Sequence, residues 1–249
     1  MKNIIFIFLF IFWPQYYSFC QNVNQGLMKY AQIIMPKDTN SYTIKNLELY
    51  FNQYESMVKK SITRQVGTDT TVKLEIGRPV GTIELYKSFT TRQMVSAESA
   101  FFQKVVVKDT LAVFQWQILS DTKLIGTFKC QKAETDFRGR HYTAWFAPEI
   151  PINNGPWKLQ GLPGLILEAA DSKGYVRFQF ISLSLPFSGN IIYGTVVPTG
   201  KQKIMDVDEF KKLVKSNEEN FRMMVQSDPQ IGDTTIKFDM NSIEIFPEK

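Results

Sequence analysis

The sequence predicts a strand-rich α+β domain: a large curved antiparallel sheet, open or half-barrel-like, with a C-terminal helix packed on it. Three observations predict it. Short segments of alternating apolar and polar residues recur between turn-forming clusters along residues 26–185. Aromatic residues make up 14% of the 249, with 20 Phe and 10 Tyr, a composition that favours pleated, half-buried surfaces. The apolar period then changes once, from two to the spacing of a helix, after Asp206. At 44% apolar the chain has enough material for a proper core. With no repeat and no low-complexity linker, residues 21–249 are predicted to form one domain.

The chain opens with a targeting pattern. Lys2 supplies a positive start, residues 4–13 are a ten-residue apolar run, and Pro14 breaks it. Ser18-Phe19-Cys20 offers small residues three and one before Gln21, so residues 1–20 are expected to be a signal peptide. Ten apolar residues are too few to span a bilayer, which takes about 20. The alternative makes Cys20 a lipidated first residue, against which Phe19 is the wrong size. The expected location is therefore the periplasm or cell envelope, with an outer-membrane association under the lipidated alternative. With Cys20 removed, Cys130 is the remaining cysteine and no intramolecular disulfide forms.

Residues 26–35 are apolar enough for a first strand, and 47–60 alternate as a second. The polar stretch 65–79, punctuated by Gly67 and Gly77-Arg78-Pro79, is expected to be a loop. Residues 82–89, 91–95 and 100–107 follow as short strands. Residues 111–119 alternate with Ala112, Phe114, Trp116 and Ile118 on one side. Ser120-Asp121-Thr122-Lys123 is then read as a four-residue hairpin turn into a strand at 124–133. A turn at 136–140 leads to a strand at 141–147, with Tyr142, Ala144 and Phe146 opposite His141, Thr143 and Trp145. Gly155-Pro156 and Pro163-Gly164 are turn signals bracketing a loop, and 165–169 is a buried strand. Residues 175–185 complete the meander. Asp206 and Glu209 form a capping pattern for a helix over 206–227, with Phe210, Leu213, Val214, Phe221 and Met224 on its apolar face. Asp228-Pro229 stops that helix, and 236–246 supply a last strand.

Within this order, Gly161-Leu162-Pro163-Gly164-Leu165-Ile166 resembles the signature of the GLPGLI family of secreted proteins, found mostly in Bacteroidota. Upstream words fit the same family. They are Lys129-Cys130-Gln131-Lys132-Ala133, Phe137-Arg138-Gly139-Arg140, Thr143-Ala144-Trp145-Phe146, and Glu149-Ile150-Pro151-Ile152 leading to Gly155-Pro156-Trp157. The chain is also similar, more weakly, to a non-catalytic N-terminal domain of some bacterial peptide-N-glycosidases. The resemblance runs close to full length and implies an exported domain without assigning it an activity.

The residues themselves offer little chemistry. Net charge is +5, but lysines and arginines are interleaved with acids and form no phosphate-neutralising block, so nucleic acid is not an expected partner. No nucleophile elbow, phosphate loop or dinucleotide fingerprint is present. Cys130 and His141, eleven apart on consecutive strands, are the metal or nucleophile candidates; the simpler reading is a buried, inert thiol and no metal or other cofactor. Glu134, Asp136, Glu149, Glu168 and Asp171 surround the signature, but turns and solvated faces account for all five. Binding candidates are Trp145, Trp157 and Tyr142, the arginines Arg138 and Arg140, and the turn Gly161, Leu162, Pro163 and Gly164. Trp157 is read first as a plug over one end of the sheet, and otherwise as a recognition residue. Arg138 and Arg140 are read first as an exposed hairpin tip, and otherwise as an anion contact.

The expected function is that of an exported, non-catalytic envelope binding protein. A helix across the concave side of a curved sheet would leave an aromatic-lined hollow, which suits an apolar-ligand carrier. The alternatives are a protein-interaction module serving outer-membrane uptake or assembly, and a hydrolase or glycosidase accessory domain. The partner is accordingly an apolar small ligand or an outer-membrane protein, and no transmembrane segment follows the leader.

Overall fold

A computed structural model describes residues 25–35, 42–66, 72–74, 81–100, 103–198, 202–227 and 244. The expected leader, the stop at Asp228-Pro229, most of the 65–79 loop and, apart from Glu244, the final strand lie outside the described residues. The first half of the chain forms β1 (Gly26–Ile34), β2 (Tyr42–Phe51), β3 (Glu55–Val66), β4 (Val72–Leu74), β5 (Ile83–Ser88), β6 (Gln93–Ala100) and β7 (Gln103–Thr110). The second half forms β8 (Gln117–Ile125), β9 (Phe128–Phe137), β10 (Arg140–Ala147), β11 (Leu165–Asp171), β12 (Val176–Ser184), β13 (Lys203–Asp206) and α1 (Val207–Gln226).

All these strands join one sheet in the order β13-β7-β6-β5-β3-β2-β1-β12-β11-β10-β9-β8, with β4 pairing β3 off the path. Every pairing is antiparallel except β13 with β7, which is parallel. That single parallel pair departs from the all-antiparallel expectation and makes the sheet mixed. The chain crosses from β7 through residues 111–116 to reach β8 antiparallel to β9, and β13, which follows β12 in sequence, lies at the opposite edge.

The curvature follows from connectivity. β7 and β8 stand ten places apart in the order, which in a flat sheet would be ~48 Å at about 4.8 Å per strand. Yet the seven residue steps from Thr110 to Gln117 reach at most about 25 Å, even fully extended. The sheet must therefore curl, bringing its flanks together, while β8 and β13 remain unpaired to each other. It is an open, half-barrel-like sheet.

Two apolar clusters fill the structure. The larger one collects Met28, Tyr30, Leu49, Phe51, Val58, Leu85, Tyr142, Ala144 and Phe178 from β1, β2, β3, β5, β10 and β12. The smaller one joins Ala100, Val105, Val107 and Met205 to Phe210 of α1, with Leu213 and Val214 packed beside them. Asp206 caps this helix: its Oδ1 accepts the N–H groups of Asp208 and Glu209 at 2.9 and 2.8 Å, and Glu209 Oε2 accepts the Asp206 N–H at 3.2 Å. The helix packs on β6, β7 and β13 rather than across the whole concave side. Its predicted apolar face is shortened as well, because Met224 is exposed where the helix outruns the sheet.

Several local expectations shift. Within the expected 65–79 loop, residues 65–66 end β3 and Val72–Leu74 form β4, which pairs with it. Residues 47–60 are two strands, because Asn52 Oδ1 accepts the N–H groups of Tyr54 and Glu55 and turns the chain back. The 120–123 turn lies inside β8, and the hairpin closes instead at Gly126-Thr127, where Gly126 takes a φ of 59°. Residues 111–116, expected as strand, cross the sheet as a strap. Trp116 Nε1 donates to Gln160 O at 2.8 Å, and the rings of Phe114 and Trp116 stack 5.5 Å apart.

Beneath that strap, residues 148–164 fold down onto the concave face. Leu159 and Leu162 are wholly buried there. Ile166 N–H donates to Asn154 O at 2.9 Å and Leu165 N–H to Ile150 O at 3.0 Å, so the loop is fastened to β11. The signature glycines are steric requirements. A Cβ at Gly164 would meet the Ala147 carbonyl oxygen at 2.4 Å, and one at Gly155 would meet Ile166 Cβ at 2.7 Å. Gly164→Ala is therefore expected to destabilise the fold by ~1–3 kcal/mol, the range for forcing a methyl into a packed interior. A urea midpoint equal to that of the unmodified chain would show the loop is not packed as described.

Candidate functional site

Trp157 sits in the middle of the loop, at a φ of 51° that non-glycine residues rarely take. Its N–H donates to the Tyr30 hydroxyl at 3.2 Å. The indole stacks on Phe178 at 6.0 Å and meets Phe137 edge-on at 5.6 Å and Tyr142 at 6.2 Å. The aromatic lining expected of a hollow is present, and Trp157 occupies its centre. Trp157 is half-buried against wholly buried Tyr142, and Leu159 and Leu162 belong to the same cluster.

The loop is pinned by a residue that sequence reasoning passed over. Lys87 on β5 is fully buried, and its Nζ donates to Asn154 Oδ1 at 2.7 Å, Gly155 O at 3.2 Å and Leu159 O at 3.3 Å. All three acceptors are neutral. Burial lowers the amine to about 7, far below an ordinary lysine. The signal in the sequence is a lysine on the inward register of β5, two residues from buried Leu85.

Next along the chain, Lys158 is almost wholly buried between two carboxylates. It pairs with Glu98 of β6 at 2.8 Å and with Glu244 of the C-terminal tail. Burial alone would lower its pKa, but the two carboxylates together raise it, so Lys158 stays charged. Glu244 is raised too, by burial first and by the charge of Glu98, against the opposing pull of Lys158. Arg138 extends the network through an ion pair with Asp109 at the end of β7 and a 4.0 Å approach to Glu244.

The arginines thus do not form an exposed basic tip. The Arg138-Gly139 turn is tight, with φ of 49° and 70° at its two central residues, the geometry of a type I′ hairpin. That twist carries Arg138 toward β7. It also buries Arg140 against Asp171 at 2.8 Å and over the Tyr175 ring at 4.3 Å. Asp171, expected as a turn residue, ends β11 and accepts the Val176 N–H at 3.0 Å as well.

A cleft of about 370 Å3, lined by polar residues that present much carbon surface, opens beside this pair, between the β9–β10 and β11–β12 turns. Gly139, Arg140 and Asp171 form its floor; Asp136 and His141 line one side, Ser172 and Lys173 the other. His141 Nδ1 lies 2.9 Å from Asp136 Oδ1.

The Cys130–His141 pairing does not form. His141 faces Asp136 across the β9–β10 ladder, while Cys130 lies one residue past the Gln131–Phe146 pair at its other end. Cys130 is buried, and burial pushes its thiol up to about 11. Among the described residues, no group of three His, Cys, Asp or Glu side chains is arranged to hold a metal. The acids form no single site: Glu134 and Asp136 flank His141 at 3.7 and 2.9 Å, Glu134 also pairs with Lys132 at 2.8 Å, Glu168 pairs with Lys123 at 2.7 Å, and Asp171 pairs with Arg140.

Trp145 is half-buried on the outer face, where Lys123 lies 4.6 Å over its ring. Gly161, at a φ of 100°, faces Trp116 and Phe114 of the strap. Pro163 is exposed at the bend before β11. A further open feature is β8, the end strand of the sheet, which leaves Ile118 and Leu124 exposed.

A family model described as a protein of unknown function (Porph_ging) matches residues 138–168, from the β9–β10 turn into β11. The match is consistent with a family of the Bacteroidota. No curated protein matches the chain. Among solved structures it is similar to PNGF-II in two crystal forms. The P21 form has a TM-score of 0.48 and 13% identity, over 78% of this chain and 34% of that one. The C2 form has a TM-score of 0.47 and 13% identity, over 78% and 33%. This chain therefore spans about a third of the PNGF-II length. Among the described residues no helix is long and apolar enough to cross a membrane.

Two predictions follow the loop. Trp157→Ala should cost ~3–5 kcal/mol of unfolding free energy, as for large aromatic truncations in cores; a loss within error of zero would mean the indole is not packed. For Lys87, the folded value of about 7 lies below the ordinary 10.5, so the unfolded chain binds the extra proton between them. Stability is expected to rise as pH goes from about 7 toward 10.5, and Lys87→Met should remove that rise. A pH dependence unchanged in Lys87→Met would assign the slope to other groups.

Proposed function

We propose that this chain is an exported, non-catalytic binding protein of the cell envelope, related to the GLPGLI proteins. It works as an interaction module that takes an extended segment of an outer-membrane partner along β8. The observation that carries this reading is the state of the two candidate surfaces. Trp157 and its loop occupy the concave face, which disfavours a carrier of apolar ligands, whereas β8 is a nine-residue end strand without a strand partner on its outer side among the described residues. Unpaired strand edges are templates for strand addition, and proteins guard them with charged side chains, lysine above all. Here Lys123, the lysine of β8, is folded back over Trp145 and bound to Glu168, so it does not guard the edge. Exposed Ile118 and Leu124 supply apolar contacts for an incoming strand. Residues 1–20 support export, and the scattered acids of the signature region support a non-catalytic role.

The test places a photo-crosslinking amino acid at Thr122 in an exporting host. One dominant adduct with an envelope protein is expected, lost in the Ile118→Lys, Leu124→Lys double variant. The native mass of the purified mature chain should equal its denatured mass. A lipid-sized mass released on denaturation would restore the carrier reading. No adduct, or one indifferent to the two lysines, would remove β8 from the function.

A further inference from the structure

We infer that the cleft between the β9–β10 and β11–β12 turns is a second binding site, one that takes the hydroxyl groups of a neutral saccharide. Its floor is prebuilt. Arg140 and Asp171 are both buried, joined at 2.8 Å, and each is held from a further side: the guanidinium by the Tyr175 ring at 4.3 Å, the carboxylate by the Val176 N–H at 3.0 Å. The two turns are also tied to each other, since the Ser172 N–H donates to the His141 carbonyl at 2.8 Å. The cleft therefore does not depend on a ligand to assemble it.

Its walls carry unspent polar capacity. Among the described residues neither the Ser172 hydroxyl nor the Lys173 ammonium makes a side-chain hydrogen bond or ion pair, although both line the cleft. Across from them, Asp136 spends Oδ1 on His141 Nδ1 and remains largely exposed, with 86% of its side chain accessible. That contact fixes the imidazole beside the cleft.

The class of ligand follows from charge and hydrogen-bonding balance. Arg140 and Lys173 offset Asp136 and Asp171, so the cleft carries no net charge with His141 neutral. An anion drawn to Lys173 meets the carboxylate of Asp136, and a cation drawn to Asp136 meets Lys173. A hydroxyl both donates and accepts, so a ligand bearing several of them satisfies Asp136 and Lys173 at once. The volume of about 370 Å3 lies at the small end of ligand sites, suited to a short saccharide.

The site is tested on the full mature chain, labelled with 15N, by titrating maltose, cellobiose and dextran at millimolar concentration and following amide shifts. Acetate, sulfate and phosphate serve as charged comparisons. Saturable shifts at Gly139, Ser172 and Lys173 are expected with a neutral saccharide. Lys173→Ala and Ser172→Ala, both on an exposed turn, should each weaken the apparent Kd by tenfold or more while the rest of the spectrum stays in place. Saturation by the disaccharides marks a free sugar as the ligand form, saturation by dextran alone marks a polymer, and either supports the site. Shifts with the anions alone would overturn the assignment to neutral hydroxyls. No saturable shift with any saccharide, or shifts that survive both substitutions, would overturn the site itself.

Discussion

The structure depends on how the concave face of an open sheet is filled. A half-barrel of strands exposes its inner side chains unless something lies against them, and α1 covers only the flank made by β6, β7 and β13. The rest falls to residues 148–164, whose apolar anchors Trp157, Leu159 and Leu162 enter the main cluster. Glycine at 155 and 164 lets the backbone come close enough for those anchors to reach. The strap at 111–116 then lies over the loop through Trp116 and Gln160, so the connection that forces the sheet to curl also holds the plug in place.

Apolar contact alone would fill that face without fixing the position of the filler. Fixing it falls to polar groups, each placed between the loop or its neighbours and a different strand. Lys87 reaches Asn154, Gly155 and Leu159 from β5. Lys158 reaches back to Glu98 on β6 and out to Glu244 in the tail. Arg138 ties the β9–β10 turn to Asp109 at the end of β7, closing the curve from the other side. Burying such groups costs several kcal/mol apiece unless their partners are in place, so a shifted loop would strand them. The polar contacts thus act as a registration device for an apolar plug.

Much of this was legible in the sequence. Apolar runs mark β1 and β11, alternation marks β10, and the Asp206–Glu209 pattern marks the start of α1, because those signals are local. The β8–β9 turn was misplaced because Ser120-Asp121-Thr122-Lys123 has turn composition while the decisive residue is Gly126, whose positive φ closes the hairpin. The arginine tip was misread for a different reason. Whether Arg138 and Arg140 face solvent depends on Asp109 and Asp171, and the first of these is brought near only by the curling of the sheet. The inward register of Lys87 is legible, but its role is not, for the same cause: its three acceptors lie more than sixty residues away in the chain. Trp157, expected as a plug over one end of the sheet, packs instead among Phe137, Tyr142 and Phe178, partners that strand pairing brings together.

The same constraint that closes the interior directs attention outward. A curled sheet can abolish its edges by pairing its first and last strands, but here β13 is four residues long and runs parallel to β7, whereas β8 runs nine residues. Two strands so unequal stay unpaired to each other among the described residues. One edge is consequently short and has α1 packed on it, and the other is long and bare among the described residues. The bulge between Ile118 and Thr122 bends that edge, yet it does not bury it, and the lysine that would guard it is engaged with Trp145 and Glu168. The filled interior and the open edge therefore meet in one connection: the strap at 111–116 that curls the sheet leads directly into β8, which has no further strand beside it among the described residues.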